Sequence, residues 1–418
     1  MSASEMPHRS FASLRHPGYR AYLFGNALAM LADSVEHVIS YWIMFQKFHS
    51  PALGGLAVLT HWLPFLFFAV YSGALADRFD PRRIIQLGMV LFMVASLGWG
   101  VMFLTDTLTI GRAATLLVIH GFAGVLWGPP SQVLIHDIVG AGELQSAVRL
   151  MATSRYTGLL AGPAVGGAIL LALGPAWGLF VNAAIYLPLT FWLWRAPYGP
   201  RFRAIPAVVA RMRGFGDILA TARLVSGNRI IVSMIVMTGA ASLIVGNAYQ
   251  AQMPEFAEDL GHGNAGIFYS LLLAADAAGA RIGGLVLESR GLLRAQPRTA
   301  IILVMVWCCA LAAFAMSSLY PLALLFLFMA GFLELSFNSM AQTLVQLNAP
   351  LAIRGRVIGL FNMSGLGLRA FSGLTVGVGG AFIGIHWSLA LSTAALLVVT
   401  GGIALVVGAE PVAAASGD

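Results

Sequence analysis

Long apolar runs, separated by short polar or Gly/Pro punctuation, dominate the chain. Twelve of them lie near 21–46, 53–76, 84–104, 113–136, 147–173, 175–195, 230–254, 265–287, 299–318, 321–346, 357–383 and 386–408. Each is close to the roughly 20 residues that carry a helix across a bilayer. The pattern predicts an all-α membrane protein of twelve transmembrane helices. The first run is the most polar, because it holds Asp33, Glu36 and His37. One hydrophilic stretch at 196–229, with Arg201, Arg203, Arg211, Arg213 and Arg223, divides the runs six and six. The expected organisation is an N-terminal segment 1–20, a six-helix half 21–195, a linker 196–229, a second half 230–408 and a tail 409–418.

Composition agrees. The chain is 59% hydrophobic and 10% charged, with a mean hydropathy of +0.83, whereas a soluble domain carries about a quarter charged residues. The first twenty residues are polar and basic, without an apolar stretch leading to a small-residue cleavage site, so the first run is expected to stay in the mature protein. The net charge of +7 does not point to nucleic acid, because the arginines are distributed by topology. Eighteen of the 24 basic residues fall in the N-terminal segment and the even-numbered connections; only Lys47 and Arg112 lie in the odd-numbered ones. By the positive-inside rule both termini are expected to be cytoplasmic. Cys308 and Cys309 are helix neighbours, unable to form an ordinary disulfide.

The halves carry matching features. Gly73 precedes Asp77 by four residues, and Gly284 precedes Glu288 by four, 211 residues later. Gly142 with Gly166–Gly167 is matched by Gly355 with Gly379–Gly380 at an offset of 213. Two parallel six-helix repeats, with a substrate site between them at mid-depth, form a transporter architecture.

Two stretches carry a family resemblance. "GALADRFDPRR" (73–83) is similar to the signature between helices two and three of the major facilitator superfamily, with Asp80-Pro81 replacing the usual turn glycine. "GLLAGPAVGG" (158–167) resembles the helix-five pattern of that superfamily's exporters. The opening "SLRHPGYRAYLFGNALAMLAD" and "NAPLAIRGRVIGLFNM" resemble the bacterial subgroup of enterobactin exporters and macrolide efflux proteins. One departure is Leu117, four residues before Gly121, where many family antiporters carry an Arg.

The resemblance implies roles. Gly73, Asp77, Arg78, Arg82 and Arg83 would form a cytoplasmic gate, with Asp77 meeting the N-terminus of helix eleven near Arg356; an acid there gains about 0.3–1 kcal/mol. Gly158, Gly162, Pro163, Gly166 and Gly167 would bend helix five and present a small face for close packing.

Ionisable residues inside spans are costly and mark cavities or partners. Asp33, Glu36 and His37 share one face of span one, and with Asp276 and Glu334 they are the candidates for proton or substrate coupling. Glu334, Asn338 and Gln342 continue to Gln346 in steps of four, a polar stripe suited to a cavity wall. Arg155, Asn247, Gln250, Arg281 and Arg369 complete the cavity candidates, with Arg149 a further counter-charge.

No two histidines stand three or four apart, so no helical metal pair is expected and no metal is assigned. "GLGLRA" (365–370) fits a dinucleotide pattern but lies inside a span with no strand before it. No Walker loop is present, which argues against ATP as the energy source. The expected protein is a monomeric, cofactor-free, non-enzymatic secondary transporter of a bacterial inner membrane. Its expected activity is proton-coupled export of a small amphipathic organic molecule such as a drug, siderophore or metabolite. An importer or a lysolipid flippase on the same fold, and a non-transporting sensor or scaffold, are the rival expectations.

Overall fold

The computed structural model describes residues 10–48, 51–202, 214, 216–261 and 265–408. Arg203, Arg211 and Arg213 of the linker, residues 1–9 of the N-terminal segment and the tail 409–418 lie outside the described residues. Among the described residues the chain is helical throughout, with no strand.

Twelve long helices follow the apolar runs. They are α1 (Pro17–Phe48), α2 (Pro51–Arg78), α3 (Pro81–Leu104), α4 (Ile110–Val139), α5 (144–173), α6 (175–195), α7 (Arg229–Ile244), α8 (Ala265–Arg290), α9 (Pro297–Ala315), α10 (Tyr320–Asn348), α11 (354–383) and α12 (Ile385–Gly408). Helix ends are written locally. Pro81 opens α3 behind Asp80, whose carboxylate accepts from the Arg82 amide at 3.0 Å; Asn228 caps α7 through the Ile231 amide at 3.1 Å. α5 and α6 run on with helical hydrogen bonding, but Gly174 breaks them at φ +76°, a left-handed conformation that favours glycine.

Nine helical runs among the described residues are long and apolar enough to cross a membrane. One of these, Leu144–Phe202, holds both α5 and α6. α1 with its acids, and α11 with its irregular turns, complete twelve. Large apolar side chains cover the bundle's outside, among them Leu171 at 90% and Leu405 at 78% exposure. That surface suits acyl chains rather than water.

Two departures concern helix interiors. The seventh run was expected to continue to 254, but α7 stops at Ile244; Gly246 turns at φ +50°, and two short helices, Ala248–Ala251 and Met253–Asp259, follow. α11 is not one regular α-helix. π-helical turns at Met363–Gly367 and Gly373–Val378 flank a 3₁₀ turn at Leu368–Phe371.

Each half has its own apolar core. Tyr19, Tyr22, Phe92, Trp127 and Tyr186 pack together among α1, α3, α4 and α6, while Met234, Tyr249, Phe256, Trp307, Phe314 and Phe337 pack among α7, α9, α10 and the short helices. The halves meet chiefly where α2 runs along α11 and α5 along α8 and α10.

Candidate functional site

The arginine-rich face of the bundle is closed, and Asp77 closes it. Its carboxylate, at the end of α2, accepts from the backbone amides of Gly355 at 2.6 Å and Arg356 at 3.1 Å, the first turn of α11. That end of a helix offers unpaired N–H groups and a positive dipole. The approach is close enough that a Cβ on Gly73 would collide with the Gly355 carbonyl, and a Cβ on Gly355 with the Gly73 carbonyl. The Arg356 guanidinium stands 4.0 Å from Asp77 and 3.8 Å from Asp217 of a short linker helix, Gly216–Val225.

The same device recurs with the halves exchanged. Glu288, at the end of α8, accepts from Ser146 Oγ in the first turn of α5 and lies 4.0 Å from Arg149. A Cβ on Gly284 would collide with Thr153 of α5. Arg149 donates to the carbonyls of Leu287 (3.2 Å), Leu292 (2.7 Å) and Leu293, which gather at the C-terminal end of α8. It is therefore part of the closed face and not a mid-depth counter-charge. Gln132 of α4 adds a bond to Asn362 of α11 at 3.1 Å. At the opposite face the ion pairs found, Lys47–Asp106 and His386–Asp259, stay within one half.

Three of the gate candidates take other positions. Arg82 pairs with Asp80 at 2.6 Å and donates to the Ala196 carbonyl; Arg83 donates to Gln86 at 2.7 Å; Arg78 stacks over Phe79 at 5.3 Å. These contacts shape the α2–α3 connection and tie it to the end of α6 rather than crossing between halves.

The α5 glycines set the position of α1. Gly158 faces Met30, Gly162 faces Ser34, and Gly166 faces Val35 and Val38, while Gly167 has open space beside it. Pro163 lies within the same stretch. α1 is thereby pressed onto α5, and Asp33, Glu36 and His37 reach α2, α3 and α4. His120 of α4 sits between the two acids: Nδ1 lies 2.8 Å from Glu36 Oε1 and Nε2 lies 2.9 Å from Asp33 Oδ1. Ser96 donates to the other Glu36 oxygen and accepts from Asn182 at 3.1 Å. His37 and His61 of α2 join as rings, 4.6 Å and 5.6 Å from His120 and 4.9 Å from each other.

A second polar cluster lies at mid-depth on the other side. Asp276 of α8 accepts from Gln250 at 2.9 Å and Tyr249 at 3.3 Å, while its Oδ1 is buried without a partner. Glu334, midway along α10, lies close enough to Tyr156 and Arg155 of α5 and to Arg369 of α11 to interact with them electrostatically. Arg155 is exposed although its electrostatic neighbours are Arg369, Tyr156, Asp33 and Glu334, all interior; its accessible surface therefore opens onto the space between the halves. Glu334, Asn338, Arg369, Trp307, Thr238 and Ser242, all of the second half, line one narrow cleft beside it. Arg369 also lies over the Trp62 ring of α2 at 5.3 Å, and Trp62 touches His61, so the two clusters are linked across the halves.

The remaining candidates are more scattered. Gln342 is half-buried one turn beyond Asn338, and Gln346 donates to Gln132 at 3.3 Å, so the α10 stripe runs from the cleft to the closed face. Asn247 begins the short helix that carries Gln250. Arg281 is exposed on α8, away from the Asp276 contacts. Sequence reasoning missed His61, His120, Ser96, Tyr156 and Trp62. His61 and Trp62 are neighbours on α2 and Tyr156 follows Arg155, but no three- or four-residue spacing to another polar candidate marks any of the five.

Comparison with known proteins agrees with this geometry. Residues 8–415 match the family model described as transmembrane secretion effector. An uncharacterized MFS-type transporter of Mycobacterium tuberculosis is 28% identical over 40% of this chain, a match spanning only 28% of that longer protein. The enterobactin exporter EntS of Shigella boydii is 25% identical over 92% of this chain and 90% of its own length. Among solved structures, the transporter FucP in its outward conformation covers 92% of this chain and 97% of its own, at 11% identity and a TM-score of 0.72. With the family match running nearly end to end on a twelve-helix transporter fold, the chain belongs to the transmembrane secretion effector family of the major facilitator superfamily.

Proposed function

We propose that the protein exports a small amphipathic organic molecule across a bacterial inner membrane in exchange for protons, by alternating access. In this reading the arginine-rich face and both termini are cytoplasmic, as the positive-inside rule favours. The structure then stands closed toward the cytoplasm. The molecule works as a monomer, and the cleft at Glu334, Asn338, Trp307 and Arg369 receives the substrate. Its mix of aromatic, amide and charged groups suits an amphipathic ligand. The export direction is supported by the enterobactin exporter, a relative over nearly full length.

The observation that carries the coupling is that Glu334 of one half lies within electrostatic reach of Tyr156 and Arg155 of the other. An ionised Glu334 draws those groups across the interface. A proton on Glu334 removes that attraction and frees the halves to rock apart. Asp276, with one buried carboxyl oxygen lacking a donor, is a second place where a proton can reside.

The test begins with a thermal-stability screen of purified protein against a catecholate siderophore, a macrolide and a lysolipid, because a bound ligand raises apparent stability by mass action. The stabilising compound then drives proton movement in proteoliposomes carrying a pH-sensitive dye. Glu334→Gln is expected to cut ligand-driven proton flux at least about a hundredfold, the lower end of the usual range for losing a positioned acid–base group, while the protein remains monodisperse. Undiminished flux in that variant removes Glu334 from the mechanism. Stabilisation by the lysolipid alone replaces export of soluble molecules with lipid transport.

A further inference from the structure

Three histidines that are far apart in sequence meet at mid-depth of the first half. His37 comes from α1, His61 from α2 and His120 from α4, and their ligand atoms all lie within 4.8 Å of one another. In a tetrahedral site with metal–nitrogen bonds near 2.0–2.1 Å, donors stand about 3.3 Å apart. The cluster therefore needs only small ring rotations to close around an ion.

The hydrogen bonds around the rings are those of ligands already oriented. His37 Nδ1 lies 2.7 Å from the Asp33 carbonyl, which directs its Nε2 inward. His120 Nδ1 lies 2.8 Å from Glu36, which is itself held by Ser96. His120 Nε2 and His61 Nδ1 are both buried and make no hydrogen bond. Asp33 Oδ1 stands 2.9 Å from His120 Nε2 without the alignment of a hydrogen bond, side by side as two ligands of one ion are. A ligating histidine whose other nitrogen meets a carboxylate or a backbone carbonyl is the usual outer arrangement of such sites. The site is not walled into solid protein, because the side chains of His37 and Asp33 keep 22% and 15% of their surface accessible.

We propose that His37, His61, His120 and Asp33 bind one divalent transition-metal ion, with Glu36 holding His120 from behind. Imidazole donors favour first-row ions such as Zn²⁺, Co²⁺ or Ni²⁺ over Mg²⁺ or Ca²⁺, which take oxygen ligands. The ion joins α1, α2 and α4 at one point. The site is separate from the coupling reading, which rests on Glu334.

The experiment uses full-length protein purified in detergent, stripped with a chelator and titrated with Co²⁺. One Co²⁺ per chain with the visible absorption of a four-coordinate ion is expected, bleached by Zn²⁺ and unaffected by Mg²⁺. His61→Leu is expected to weaken Co²⁺ binding at least about tenfold, and Glu36→Gln by about 10–100-fold, the effect of losing an outer-shell partner. Glu334→Gln, whatever it does to proton flux, is expected to keep the Co²⁺ spectrum. If His61→Leu is not monodisperse, the wild-type stoichiometry, spectrum and Zn²⁺ competition decide. Absence of stoichiometric binding, a six-coordinate spectrum, or His61→Leu binding as tightly as wild type overturns the proposal.

Discussion

At the scale of single residues, Asp77 has the most sharply defined position. It is a buried carboxylate with two backbone amides of the other half as donors. Hydrogen bonds to charged groups are worth about 1.5–3 kcal/mol. Asp77→Asn keeps the shape and removes the charge, so the closed face is expected to open at least about tenfold more often. A cysteine placed at Gln132 in a cysteine-free background reports this through its rate of alkylation by an impermeant maleimide. An unchanged rate makes Asp77 a passive contact. This residue was legible in advance through the family resemblance of "GALADRFDPRR", with the glycine–acid pair recurring at Gly284 and Glu288. The histidines were not. His61 and His120 acquire meaning only when α2 and α4 lie against α1, a juxtaposition no local spacing encodes.

At the scale of elements, apolar run length and helix-end residues made all twelve helices readable, including the division of 144–195 at Gly174. Gly174→Ala places a Cβ in a positive-φ, extended backbone region (φ +76°, ψ 172°) that essentially only glycine occupies, which costs about 1–3 kcal/mol. The α5–α6 connection is expected to lose that much stability, seen as a lower thermal-unfolding midpoint. Equal midpoints would show that the neighbouring Pro175, rather than Gly174, fixes the break. Filling the α5 stripe is expected to do more. Gly162→Val sets a branched side chain against Ser34, and overpacking costs about 1–3 kcal/mol. It also displaces α1, so both Co²⁺ binding and transport are expected to fall together; loss of neither would mean that α1 is positioned from elsewhere. The irregular turns of α11 stayed hidden. Its glycines permit π and 3₁₀ geometry, but where the helix leaves the α form is settled by its packing on α2 and α7. Arg369 sits in that irregular stretch, and π turns are frequent at functional sites.

At the scale of the molecule, the six-and-six division and the family were legible, because the linker arginines, the repeat offset and two motifs all agreed. The state of the interface was not, since a sequence shared by every state of a rocking cycle specifies none of them. Ser10 Oγ donates to the Ser289 carbonyl at 2.6 Å, which brings the N-terminal segment onto the end of α8. Cysteines at these two positions, with Cys308 and Cys309 replaced by alanine, are expected to cross-link on oxidation and stop transport, and to recover on reduction. Full transport by the oxidised, cross-linked protein would show that this face does not open during turnover.

The exchange of roles between Asp77 with α11 and Glu288 with α5 has a consequence for fidelity. Each half supplies one bolt and one socket, so opening of this face obeys a logical AND. If each closure is worth ~1.4 kcal/mol, tenfold in population, both must fail together for a passage to form, about one time in a hundred. Accidental opening is thus squared away, while neither bolt alone is too tight for a bound ligand to withdraw.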